Sequence, residues 1–126
     1  MRRPKFIRLM FSSLLLLGIL RPHEITGQPA PSAERKQIEA LIEHIGALKE
    51  AKFIRNGSSY EPLTAVRFLR GKWNANLDKV KSARDFIDHV ASISGTTGEP
   101  YLIRFKDGKV IHSRDFLLAL LSKISA

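Results

Sequence analysis

Cysteine is absent from this 126-residue chain. That excludes disulfide staples and lipid attachment through a cysteine, so any domain must stand on its hydrophobic core. Long apolar runs are also lacking. The longest, Leu9 to Leu20, is 12 residues, whereas a membrane-spanning helix needs about 20. Aromatic residues make up only 8% and are thinly interleaved with the cations, which leaves single-stranded nucleic-acid binding without a stacking platform. No G-x-S-x-G elbow occurs. His44, His89 and His112 stand at no metal-binding spacing and have no carboxylate cluster beside them, so no metal or other cofactor is implied.

What is present begins with a leader. Arg2, Arg3, Lys5 and Arg8 precede the 12-residue apolar run, and a polar stretch with Pro and small residues follows it. This is the tripartite pattern of a secretory signal. We expect residues 1–27 to be a signal peptide, with cleavage between 27 and 33, although no A-x-A triplet marks the cut. Residues 28–33 read as a flexible lead-in and 34–126 as one globular domain. Of 21 basic and 12 acidic residues, five and one fall in residues 1–27, leaving 16 against 11. Much of the formal charge of +9 therefore belongs to targeting, and nucleic acid is not an expected partner.

Hydrophobic periodicity then predicts the elements. Ile38, Leu41, Ile42, Ile45 and Leu48 form one stripe of a helix running to about Ala51. Asn56-Gly57 between short β-prone pieces marks a short hairpin or loop over about 53–60. Pro62 suits the first turn of a second helix to Trp73, with Ala65, Val66, Leu69 and Trp73 inward and Phe68 well off that face. Ser82 with Asp85 resembles a capping box and opens a third helix to about Ile93. Tyr101 to His112 reads as a hairpin turning at Asp107-Gly108. A type I′ turn there pairs Phe105 with Val110 and Ile103 with His112, putting Val110 on the core side. Ser113 caps a last helix with Leu118 outward. The fold class is α+β: four helices on a small antiparallel sheet.

The FIRNG run (Phe53 to Gly57), FIDHVAS (Phe86 to Ser92) and G-x-P-Y (Gly98 to Tyr101) resemble the YfeK-like family of small exported bacterial proteins, a domain of unknown function. The resemblance covers about residues 34–125. It implies a Gram-negative periplasmic location and supplies no activity, substrate or catalytic residue. Members often carry His where this chain has Phe68, so no role of that His carries over.

Three groups of residues could bind something. Arg55, Asn56 and Tyr60 gather a guanidinium, an amide and a phenol around a glycine, a grip for carboxylate or phosphate. The same residues also satisfy a tight turn. Ser92, Ser94, Thr96 and Thr97 offer hydroxyls to a polar ligand, or serve a helix end. Arg67 and Arg70 lead a run of six cations, with Lys72, Lys79, Lys81 and Arg84, that contains one acid, Asp78. This run either meets an anionic partner or is an ordinary solvated face. The expected function is a non-catalytic binding or interaction module for an envelope protein or an anionic envelope component. The alternative is a small envelope hydrolase assembled from Ser94, His89 and Asp85.

Overall fold

The computed structural model describes residues 30–126. The expected signal peptide lies outside the described residues. Helix α1 (Ser32–Gly46) is followed by β1 (Lys52–Arg55), β2 (Ser58–Tyr60), α2 (Pro62–Asn74), α3 (Ala83–His89), β3 (Leu102–Arg104), β4 (Val110–His112) and α4 (Ser113–Ile124), with a 3₁₀ turn at Leu77–Lys79. The architecture is α+β, as the periodicities predict.

Helix α1 exists because its apolar residues recur on one face. Ile38, Leu41, Ile42 and Ile45 are fully buried, and each such side chain contributes about 1.5–3 kcal/mol on leaving water. The helix stops at Gly46, five residues short of the expected end. Glu50 takes a left-handed backbone, φ 65°, which no continuing helix accommodates. Leu48 still packs against the core from the turn that follows.

The two hairpins join into one antiparallel sheet, in the order β2-β1-β3-β4. The central pairing sets Phe53 of β1 against Ile103 of β3. Phe53, Tyr101 and Ile103 are buried against the helices, and on the opposite face Ile54 pairs with Leu102 and Arg104 with Val110. In the first hairpin Asn56 (φ 51°) and Gly57 (φ 79°) supply the two positive φ angles of a two-residue turn.

The second hairpin differs from the expected register by one residue. Ile103 faces Ile111, and Arg104 faces Val110. Gly108 adopts φ 92° after a turn closed by its own N–H on the Phe105 carbonyl, so three residues rather than two make the loop. A one-residue slip exchanges the faces. Val110 is therefore 46% exposed, and Ile111 takes the core-facing place.

Helix α3 is also shorter than predicted. Ser82 accepts the Asp85 N–H at 3.0 Å, and Asp85 in turn accepts the Lys81 N–H at 3.0 Å, a capping box shifted back by one residue. The helix ends at His89, because the chain must turn to bridge Ile93 with Pro100. Ile93 is accordingly exposed, not part of the buried stripe. Ser113 does not cap α4. Its N–H completes the hairpin on the Tyr101 carbonyl at 2.9 Å, so His112 becomes the cap and Ser113 the first helical residue. Leu118, expected outward, packs against the core.

Candidate functional site

Phe68 is the largest departure from the helical-wheel reading. It lies off the α2 stripe formed by Ala65, Leu69 and Trp73, yet it is not left to solvent. The sheet packs against that flank of α2, and Phe68 meets Phe53 at 5.3 Å, Tyr101 at 5.7 Å and Tyr60 at 6.3 Å between ring centroids. These are edge-to-face arrangements, in which the positive rim of one ring meets the negative face of another.

Two cations close over this aromatic cluster. The Arg55 guanidinium sits 4.9 Å from the Phe68 ring centre and 5.6 Å from that of Tyr60. Lys72, one helical turn beyond Phe68, lies 4.8 Å from the Tyr101 ring. Its ammonium donates to the Tyr101 hydroxyl at 2.9 Å and to the Ile93 carbonyl at 2.8 Å. Lys72 is thereby spent inside the fold. Arg55 is not: among the described residues no carboxylate pairs with it. Stacking occupies the face of a guanidinium and leaves its in-plane N–H donors free.

The loop after α3 reaches the same end of the molecule. The Thr97 hydroxyl donates to Asn56 Oδ1 at 2.6 Å, so two of the groups singled out in the sequence are neighbours. Within that loop the serines are buried and occupied. Ser92 Oγ donates to the Ile87 carbonyl at 2.5 Å, and Ser94 Oγ accepts the Thr96 and Thr97 N–H groups at 3.3 and 3.4 Å. Thr96 and Thr97 are exposed.

The model for a family described as "Family of unknown function (DUF5329)" matches residues 32–125, which takes in α1 through α4. The chain belongs to that family. It is similar to the uncharacterized protein YfeK of Salmonella typhimurium strain LT2, with 37% identity over 68 residues. That match spans 54% of this chain and 57% of YfeK, little more than half of the relative's length. No solved structure matches. The YfeK-like resemblance read from FIRNG and its companion motifs is thus confirmed, and it assigns no activity.

The remaining sequence candidates lie apart from the cluster. Arg67 and Arg70 are on the exposed side of α2. Arg70 pairs with Glu39 of α1 at 2.7 Å, and Arg67 donates to the Thr64 hydroxyl at 3.2 Å. Arg84 pairs with Asp88 at 3.5 Å. The run of cations is therefore not one continuous field, since Arg70 is neutralised by Glu39 of α1 and Arg84 by Asp88 of its own helix. Ser94, His89 and Asp85 form no relay: Ser94 bonds within its own turn, His89 is exposed, and the Asp85 carboxylate holds the Lys81 N–H. Among the described residues no three His, Asp or Glu side chains gather as metal ligands.

Sequence reasoning found Arg55, Asn56, Tyr60 and Thr97 but missed Phe68, Lys72 and Tyr101 as parts of the same place. One signal for two of them was available. Phe68 and Lys72 are separated by four residues and so share a helix face, which the Arg55-to-Tyr60 hairpin could then cover.

Proposed function

We propose that this protein is a non-catalytic binding module of the periplasm that takes an anionic group, a carboxylate or a phosphate, at Arg55. One observation carries the reading. A half-buried guanidinium is held against Phe68 and Tyr60 with no acid among the described residues to neutralise it. A charged donor that is oriented in advance and partly shielded from water binds an anion more strongly than a mobile surface arginine. Asn56, adjacent in the turn, is itself positioned by Thr97. The expected export signal supports the location, and an envelope protein or an anionic envelope component is the class of partner this chemistry fits. The hydrolase alternative finds no support in the arrangement of Ser94, His89 and Asp85.

The test is a nitrogen-15 NMR titration of the purified protein at low ionic strength, following the arginine side-chain N–H signals. Inorganic phosphate and acetate are the probes. Saturable movement of the Arg55 signal, abolished in Arg55→Gln and weakened in Phe68→Leu, is expected. A folded protein whose Arg55 signal ignores both anions would sink the reading. Arg67 favours a second mode, because among the described residues its guanidinium bonds to a hydroxyl, that of Thr64, and to no carboxylate. Salt-sensitive binding to anionic vesicles that is lost in the Arg67→Glu, Arg70→Glu double variant but kept in Arg55→Gln would move the site to α2.

A further inference from the structure

Among the described residues the sheet has two unpaired edges, β2 and β4, and they differ in character. The β2 edge is polar: Ser58 and Ser59 are exposed there. The β4 edge carries Val110, 46% exposed, at the lip of an open groove of about 530 Å³ lined by Leu102, Val110, Ile111, Phe116 and Ala119 together with the polar His112 and Asp115. The hydrogen-bonding pattern shows which main-chain groups this edge offers. Phe105 and Ser113 donate to the carbonyls of Lys109 and Tyr101, which marks the bonded pairs of the β3–β4 ladder. Antiparallel alternation then turns the N–H and C=O of Val110, and the N–H of His112, away from β3.

We propose that β4 is a self-association edge, pairing antiparallel with β4 of a second copy about a two-fold axis at Ile111. The occupant is argued from charge. The edge has a cation at one end, Lys109, and a carboxylate at the other, Asp115, which is 71% exposed and lies 3.8 Å from the His112 ring nitrogen. Lys109 has no acidic partner among the described residues. Antiparallel pairing through Ile111 brings each Lys109 to the start of the other copy's α4, where Asp115 lies. It also lets each His112 N–H donate to the other copy's Val110 carbonyl. A two-fold axis demands such a self-complementary surface, and the Val110 and Phe116 groove is covered in the same act. The product is one continuous eight-stranded sheet that leaves the Arg55 cluster outside the junction.

Sedimentation velocity over a concentration series tests this on the purified full-length protein, with far-UV circular dichroism confirming that each variant folds. A reversible dimer is expected. Val110→Lys brings like charges together at the axis and should raise its dissociation constant about a hundredfold. Lys109→Asp alone should raise it about threefold, as for an exposed pair, and adding Asp115→Lys to the same chain should restore it. A monomer at every concentration overturns the proposal. So does a dimer indifferent to Val110→Lys, or a charge swap that fails to recover what Lys109→Asp lost.

Discussion

The Thr97 hydroxyl donates to the side-chain oxygen of Asn56 at 2.6 Å, tying a hairpin turn to a loop 41 residues further along the chain. Thr97 also accepts the Glu99 N–H at 3.1 Å, so one hydroxyl holds its own loop and the neighbouring turn together. Asn56 needs its left-handed backbone for the turn and its amide for the loop. Few residue types combine the two.

This double duty can be separated by substitution. Asn56→Gly keeps the turn and loses the tie. Asn56→Ala loses both and should cost about 1 kcal/mol more than Asn56→Gly, the penalty of a left-handed residue bearing a β-carbon. Thr97→Val should cost about 1–2 kcal/mol, the worth of two exposed hydrogen bonds, one to Asn56 and one from the Glu99 N–H. Urea denaturation gives both differences. Equal stabilities for the Gly and Ala variants would show that the turn does not require φ 51° at Asn56.

Phe68 is the keystone of the aromatic cluster, and its loss should be felt twice. Phe68→Ala should destabilise by about 2 kcal/mol, less than a fully buried phenylalanine because the ring is only half-buried. Phe68→Leu should retain most of the stability while releasing Arg55, because an alkyl group offers no ring face. Faster side-chain motion of Arg55 in NMR relaxation is the expected signature. An unchanged Arg55 would mean that Tyr60 alone holds it.

Helix α3 has only seven residues and leans on its cap. Ser82→Ala should cost about 1 kcal/mol in chemical denaturation, and Ser82→Gly only a few tenths. Asp85→Asn should cost less than Asp85→Ala, since the amide oxygen can still accept the Lys81 N–H. If Ser82→Ala proves neutral, packing of Phe86 and Ile87 is sufficient to hold the helix without its cap.

The Asp88 carboxyl lies between Arg114 and Arg84. Burial by itself raises its pKa, but the hydrogen bond and charge of Arg114, joined by Arg84, outweigh that and hold it below the ordinary value. The folded state then binds a proton less readily than the unfolded chain. The stabilisation is fully present above the unfolded carboxylate range, about pH 4, and is lost as pH falls through the depressed folded value. Asp88→Asn should remove this part of the acid limb of the stability curve while leaving the remainder. Identical pH profiles for the two proteins would show that the pair contributes nothing to folding.

Much of this fold was legible because it is written in local patterns. The stripe Ile38, Leu41, Ile42 and Ile45 falls on one face only in a helix, and Asn56-Gly57 is the dipeptide that most readily takes the positive φ of a tight turn. Ser82 with Asp85 ahead of an apolar stripe favours a helix start, since the free N–H groups of a first turn need acceptors. The family resemblance rested on the same kind of local evidence. The register of the second hairpin was not legible. Both turn types accept Asp107-Gly108, and only the packing of Ile111 beside Ile103 decides between them. Nor was the length of α1 or α3, because the residues that end them answer to the next element in space.

The candidate site divides in the same way. Sequence alone determined which chemistry was on offer: a guanidinium, an amide and a phenol in one turn, and hydroxyls in another. Tertiary structure decided which of these meet. Phe68 stands off its helix's own apolar stripe, and it is half-buried only because β1 and Tyr101 pack against that flank of α2. Arg55 and Arg70 are equally charged as residues. Arg70 is neutralised because α1 places Glu39 within 2.7 Å, whereas the fold surrounds Arg55 with rings and, among the described residues, brings no carboxylate to it. The strength of a charge in a protein depends on its neighbours in space and on the water they exclude, and neither is a property of adjacent letters.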